Sequence, residues 1–330
     1  MNNGMNSITK SSTLSELCDF NFRVIAPMTL KEHTLYNNQR LICNYVLPLA
    51  GDIPIAQITP YHLDEIFSAL LQGGSPVTRR RLSPSTVRQT RMALSSVLND
   101  AVKKGILEVN PIQKCTAIKS ENTRKDFLDE GQCRTVIRLT AYLPNPQVRR
   151  AIQMLLMTGL RRGELIGLFW QDIDFDRKEL LVRRTVSRFD RKTIVSTPKT
   201  RSSERRIPLS DGVLALLLEQ KKYVAFLKNS EGSGWNDTAA VFTGIHGGFM
   251  SGDYLNNCFR NMMKDAGMPG MHLHDLRHAN ASILINEGVP MKVVSEHLGH
   301  SSVNVTEKFY THMFAESQKI TAEVIENVLK

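Results

Sequence analysis

Three times in this chain a small hydrogen-bonding residue stands directly before a proline and an apolar stripe at helical spacing: Thr59-Pro60, Ser83-Pro84 and Asn145-Pro146. Such a side chain accepts one of the orphan amides of a helix start. Proline at the first helical position has no amide to lose, and its φ is already set. The pair therefore fixes where each helix begins and commits the chain to separate amphipathic helices. After Pro60 the stripe is Leu63, Ile66, Phe67, Leu70 and Leu71, stopped by Gly73 and Gly74. After Pro84 it is Val87, Leu94, Leu98 and Ala101. Leu41, Ile42, Tyr45, Val46 and Leu49 keep the same spacing upstream, with Pro48 expected to bend or end that element. Asp129 and Asn145-Pro146 open two further helices, the second running into "MTGLRRGE".

One stretch breaks the helical rhythm. "ELLVRRTVS", "KTIVSTP" and "ERRIPLS" alternate and are β-branched, which predicts a small antiparallel sheet, and "AAVFTG" predicts a further short strand. From Gly212 onward the spacing is otherwise helical. Residues 1–13 are Asn/Ser/Thr-rich and read as a flexible tail. The polar segment "NPIQKCTAIKSENTRKDFLDEGQ" lacks either period and reads as an interdomain linker over residues 111–125. The expected organisation is a helical domain at 14–110 and a second, mainly α domain with a small sheet at 126–330.

A chain of 330 residues is long enough for two separate cores. Its 42 Lys+Arg against 32 Asp+Glu leave a formal charge of +10, a surplus that favours a polyanionic partner, of which nucleic acid is the commonest. Arg79, Arg80 and Arg81 precede the helix opened by Pro84, and Arg88 and Arg91 lie on the face opposite its core stripe. Taken alone, a solvated charged face is the commoner explanation; a helix start crowded with Arg also reads phosphate backbones, and beside the motifs of the second half these five arginines are expected to contact DNA. Cys18, Cys43, Cys115, Cys133 and Cys258 are dispersed, without a CxxC pair, as expected of reduced thiols in the cytoplasm rather than a zinc module or disulfide framework. The N-terminus lacks an apolar signal region, and no apolar run reaches the roughly 20 residues a membrane helix needs.

Six residues of the second half suit one chemistry. They are Arg161 in "TGLRRGELIGL", Lys199 in "STPKTRSSERRIPLS", His274 and Arg277 in "HLHDLRH", His300 in "HLGHSS", and Tyr310 in "VTEKFYTHM". Breaking a phosphodiester builds negative charge on the non-bridging oxygens. Fixed donors around phosphorus are each worth roughly 2.7–4 kcal/mol there. Arg grips two oxygens with its planar fork and stays charged, and a phenol can attack. Singly, each residue has a blander reading. Arg161 after Gly159 can serve a helix end, Lys199 can be an exposed hairpin lysine, and Tyr310 can be one of seven packing tyrosines. His274 and Arg277 share a helix face three residues apart, ordinarily as a surface pair. With His272 and His278 they also suggest a metal fragment, although no Cys or acidic cluster completes one.

The five segments, in this order, resemble the tyrosine recombinase (phage integrase) family. "TGLRRGEL" matches the TGxRxxEL box, whose spacing selects Arg161 over Arg162 and makes Glu164 the residue that orients it. "HDLRH" matches the HxxR box, "HLGH" the LGH box and "KFYTHM" the context of the nucleophile. The resemblance runs from about Leu14 to Phe314 and implies a helical, SAM-like core-binding domain followed by a catalytic domain, closing as a C-shaped clamp on duplex DNA. It implies that Tyr310 attacks the phosphate and that Lys199 protonates the leaving 5′ oxygen, with Lys192 and Arg201 as competing positions. His300 would hydrogen-bond the scissile phosphate. The phenol, with an ordinary pKa near ~10, would rely on the surrounding cations and imidazole. The family's hydroxylated residue after HxxR is Ala279 here, expected to weaken packing without touching catalysis.

The resemblance further implies a 3′-phosphotyrosyl intermediate that conserves the bond energy, so neither ATP, metal nor other cofactor is expected. The expected partners are duplex DNA, a homotetramer on two duplexes, and in some systems an accessory DNA-bending or directionality factor; the protein would be cytoplasmic and nucleoid-associated on DNA. The tail "FAESQKITAEVIENVLK", apolar at Ile320, Val324, Ile325 and Val328, is expected to dock on a neighbouring protomer. Few residues precede the core-binding helices, so no arm-site domain is expected. Integration or excision of a mobile element is the leading biological role, with a Xer-like resolvase or invertase as the alternative. A relaxing topoisomerase would not need the docking tail, and the six intact residues argue against an inactive DNA-binding regulator.

Overall fold

The computed structural model describes residues 8–119, 128–189, 192–196 and 204–299, and the chain divides into two compact units, Met1–Arg124 and Lys125–Lys330. In the first, α1 (Leu14–Phe20) continues through a π-helical turn, Asn21–Ile25, into α2 (Ala26–Thr29). Then come α3 (Glu32–Tyr45), α4 (Leu47–Ala50), α5 (Pro60–Gln72) and α6 (Pro84–Lys103). The capping residues behave as their chemistry requires. Thr59 Oγ1 accepts the His62 amide at 3.3 Å, and Ser83 Oγ accepts the Thr86 amide at 3.1 Å. Pro48 ends α3 and starts α4 rather than bending one helix, which turns Leu49 out to solvent. Leu63, Ile66, Phe67 and Leu70 of α5 share one core with Val87, Leu94, Leu98 and Ala101 of α6.

Two stretches expected to be loose are tied into this unit. Within the predicted tail, Thr13 caps α1 in a reciprocal capping box with Glu16. The Ser12 and Lys10 carbonyls accept the Ile55 and Ala56 amides. Within the predicted linker, Pro111–Lys114 forms a 3-10 turn with Pro111, Ile112 and Cys115 buried. Thr116 binds the Asp64 carboxylate through its amide at 3.0 Å and its hydroxyl at 2.8 Å. Side-chain bonds to irregular backbone hold this segment, and such bonds leave no periodicity to read.

The second unit begins with α7 (Glu130–Thr140) and α8 (Pro146–Thr158), capped by Asp129 and Asn145. After α9 (Arg162–Ile166) come β1 (Ile173–Asp174), β2 (Glu179–Val182), β3 (Thr185–Phe189), β4 (Lys192–Ser196) and β5 (Arg205–Pro208). The strands form two antiparallel sheets, β1-β2-β5 and a β3-β4 hairpin. Among the described residues four α-helices follow: α10 (Asp211–Glu231), α11 (Gly252–Asp265), α12 (Leu273–Asn286) and α13 (Met291–Leu298). The core gathers Ala151, Ile152 and Leu155 of α8, Leu217 of α10, Phe259 of α11 and Leu276 of α12.

The strand expected at "AAVFTG" does not form. Ala240 and Thr243 make single bridges to Phe169 and Phe249, and the segment instead fills the core with fully buried Val241 and Phe242. Ala279 is wholly buried in the main core, where a methyl carries no hydroxyl to satisfy, and the adjacent Asn280 donates to the Leu156 carbonyl at 2.9 Å.

Candidate active site

Gly159 ends α8 in the left-handed region at φ 64°. A Cβ there would lie 2.7 Å from Leu298 Cδ2 and 2.8 Å from Asn280 Oδ1, so both conformation and space demand glycine. The chain then turns and Arg161 becomes the N-cap of α9 in extended conformation. Glu164, one turn on and 6% exposed, takes the Arg161 amide on Oε2 at 2.9 Å and Arg161 Nη1 on Oε1 at 2.7 Å. Glu164 therefore holds Arg161 at two points, its amide and its guanidinium. Arg162, the competing arginine, is exposed and donates to the Gly252 carbonyl at 3.2 Å.

Arg277 is no surface residue. It lies on α12 at 2% exposure, with Nη1 donating to the Gly159 carbonyl at 2.7 Å and Nη2 to the Leu298 carbonyl. His274, a turn earlier, is exposed. It lines a cavity of about 380 Å³ with Arg162, Arg260 and His272 among its walls, and its ring meets His278 edge-on at 5.0 Å. Among the described residues no group of three His, Cys, Asp or Glu is placed to hold a metal, so the His272–His274–His278 fragment does not assemble as a ligand set.

Three successive carbonyls at the end of α13 receive three different arginines. His297 O accepts Arg205 Nε at 2.7 Å, Leu298 O accepts Arg277 Nη2, and Gly299 O accepts Arg161 Nη2 at 3.0 Å. A helix C-terminus leaves its last carbonyls unpaired and carries partial negative charge, so it draws cations. Arg205 also grips Glu164 with both terminal nitrogens, at 3.2 and 2.9 Å. One buried carboxylate is therefore shared by Arg161 and Arg205. Sequence reading passed over Arg205, although a signal existed. β5 alternates buried and exposed from Arg205 to Pro208, which puts Arg205 on the inward face, and a buried arginine requires an acidic partner.

The electrostatics follow from this packing. Burial pushes the Glu164 carboxyl up, but hydrogen bonding and charge from Arg205, then Arg161, outweigh it and hold it below the ordinary carboxylate range. Burial, reinforced by Arg205 and Arg277, pulls the His297 imidazole down to about 4, so it is neutral near pH 7. Two guanidiniums on one carboxylate leave a surplus of positive charge, to which Arg277 adds from the neighbouring carbonyl, a setting that suits an anion.

Lys199, His300 and Tyr310 lie outside the described residues, as do Arg201 and the C-terminal segment carrying Ile320, Val324, Ile325 and Val328. Lys192 opens β4 and is exposed. In the first unit, Arg79 and Arg80 are exposed, and Arg81 is exposed with Nε on the Leu71 carbonyl at 3.1 Å. Arg88 and Arg91 do not form an outward face. Arg88 donates to the Lys119 carbonyl at 2.9 Å, and Arg91 to those of Thr116, Ile112 and Cys115 at 2.6, 3.0 and 3.2 Å. Both clasp the segment after α6, whose open carbonyls attract them.

The family model for the phage integrase family matches residues 126–317, and that for the phage integrase N-terminal SAM-like domain matches residues 13–71. The chain is 28% identical to a "Tyrosine recombinase XerC-like" protein of Caldanaerobacter subterraneus, over 99% of this chain and 86% of that protein. It is 27% identical to the ICEBs1 integrase of Bacillus subtilis, over 89% and 78%. Among solved structures, the Tn1549 transposon integrase with a circular intermediate DNA superposes with a TM-score of 0.76 at 20% identity, over 94% of this chain and 100% of that one. A lambda integrase tetramer bound to a Holliday junction gives 0.64 at 19%, over 91% and 80%.

Proposed function

Because the chain belongs to the phage integrase family, we propose that it is a site-specific DNA recombinase acting through a 3′-phosphotyrosyl intermediate, in the integration and excision of a mobile element. Tyr310 attacks the scissile phosphate, the 5′ oxygen leaves with a proton from Lys199, and the 5′ hydroxyl of a partner strand reverses the step. Arg161 and Arg277 meet the charge that builds on the non-bridging oxygens, with His274 and His300 as hydrogen-bonding partners. The observation that carries this reading is the convergence of Arg161 and Arg277 on the Gly299 and Leu298 carbonyls, one residue ahead of the segment bearing His300 and Tyr310. The residue roles are tested with a nicked suicide duplex: wild type forms a covalent adduct, and Tyr310→Phe binds the duplex without forming it. An adduct with the Phe variant would remove Tyr310 from the role.

The first unit serves as the core-binding domain and residues 126–330 as the catalytic domain. Likeness to the ICEBs1 integrase supports movement of an element, and likeness to a XerC-like recombinase supports resolution as the alternative. The assembly is a homotetramer on two duplexes, as the lambda integrase is on a Holliday junction, with the segment after Phe314 docking on a neighbour. Protein truncated after Phe314 would bind single sites normally yet fail to form the synaptic tetramer by light scattering; normal assembly would remove the docking role.

A further inference from the structure

We infer that Arg205 is a positioning residue for strand cleavage: it grips the Glu164 carboxylate and the end of α13 together, so that Arg161 keeps both its place and its charge for the scissile phosphate. The inference rests on the recombinase reading above. Three observations carry it. Arg205 and Glu164 form a two-pronged pair with both side chains 6% exposed, whereas the Arg161 side chain is 37% exposed. The buried guanidinium thus holds the carboxylate and the more exposed one faces outward. Glu164 against Arg161 alone would be a neutral pair; a second guanidinium on the same carboxylate leaves the group cationic, which an incoming phosphate requires.

Arg205 also reaches α13 through the His297 carbonyl, next to the carbonyls that Arg277 and Arg161 take. One side chain on β5 therefore connects the arginine turn at α9 to the helix end that leads into residues 300–310. The close pass is built in on the other side as well. Gly299 has φ 65°, and a Cβ there would sit 3.0 Å from both Arg205 Cδ and Nη1. Gly299 thus leaves the room that Arg205 fills.

The charged groups on the Glu164 carboxylate are Arg161 from its own turn and Arg205 from β5, with His297 of α13 in the field of Arg205 and Arg277. Removing Arg205 takes away the strongest contribution that holds the Glu164 carboxyl down, so its titration moves up and its loss of charge begins at higher pH.

The test is single-turnover cleavage of a nicked suicide duplex between pH 5 and 8, with site-DNA binding measured in parallel, for R205M, R205K and the double variant E164Q/R205M. R205M is expected to cleave about 30-fold or more slower with Kd changed less than about 3-fold, as for a group that acts only in the transition state. R205K recovers part of the rate, because it restores charge without the fork. R205M also departs from the wild-type pH profile toward low pH, where its Glu164 loses charge, and the double variant lacks that departure. R205M or R205K cleaving at the wild-type rate overturns the inference, as does a loss of cleavage that only mirrors lost binding. A departure persisting in the double variant comes from a group other than Glu164 and overturns it equally. Should R205M not fold, R205K alone decides. A wild-type protein that forms no adduct would instead overturn the recombinase reading itself.

Discussion

Arg277 donates to the Gly159 carbonyl at 2.7 Å across 118 residues of sequence. The helix that carries His274 is thereby fastened to the turn that presents Arg161, and the two arginines of the site are set by one backbone junction. The same guanidinium reaches Leu298, so α8, α12 and α13 meet at a single side chain.

Arg161 and Arg277 are expected to separate when stability and cleavage are both measured. Either Ala variant slows cleavage at least about a hundredfold, as for lost transition-state donors. Arg277→Ala also leaves two buried carbonyls without their donor, at about 1–3 kcal/mol each, whereas Arg161→Ala leaves one, at Gly299, and destabilises less. Denaturant titration beside single-turnover cleavage reads both. A destabilised Arg161→Ala with an intact Arg277→Ala would reverse the assignment of roles.

Gly159→Ala tests the junction itself. The left-handed φ and the close approaches at 2.7 and 2.8 Å predict a loss of about 2 kcal/mol or more. Thermal melts should show it, and wild-type stability would mean the turn relaxes freely.

The arginines of the first unit are expected to fall into two sets. Neutralising Arg79 or Arg80 lowers the magnitude of the log K against log salt slope by ~0.9 for each phosphate left without its cation, without affecting the melt. Arg91→Ala instead destabilises the unit by about 2 kcal/mol, since three carbonyls lose a charged donor. A salt slope that changes only with Arg91 would return that residue to the DNA face.

His297 gives a pH dependence of known sign. Its imidazole is held down to about 4 against an ordinary 6.5, so between those values the unfolded chain binds the extra proton. Its contribution is whole above pH 6.5 and is lost progressively as pH falls toward 4, by up to ~1.4 kcal/mol per pH unit. His297→Gln should flatten that part of the stability profile; an unchanged slope would place the acid sensitivity elsewhere.

The helices were legible because their signals are local. Thr59, Ser83, Asp129 and Asn145 announce helix starts within four residues, and of the stripe after Pro60 Leu63, Ile66, Phe67 and Leu70 are buried while Leu71 is half-buried. Arg161, Glu164 and Arg277 were legible from motif spacing, and the structure brings them to one junction. The carbonyl clasps were not. Arg205 needs β5 to lie beside α9 and α13, and Arg88 and Arg91 needed knowledge that the segment from 112 to 119 folds back on α6. Such bonds join side chains to irregular backbone far along the chain, and no sequence period encodes them.

The central claim is that a tyrosine near the end of this chain becomes covalently joined to DNA. Incubating the wild-type protein with its nicked site duplex, digesting the adduct with protease and nuclease, and mapping the modified peptide by mass spectrometry tests it directly. The account predicts a nucleotide joined through a 3′ phosphate to Tyr310 within "KFYTHM". A phosphate on any other residue, or a 5′ linkage, would contradict it.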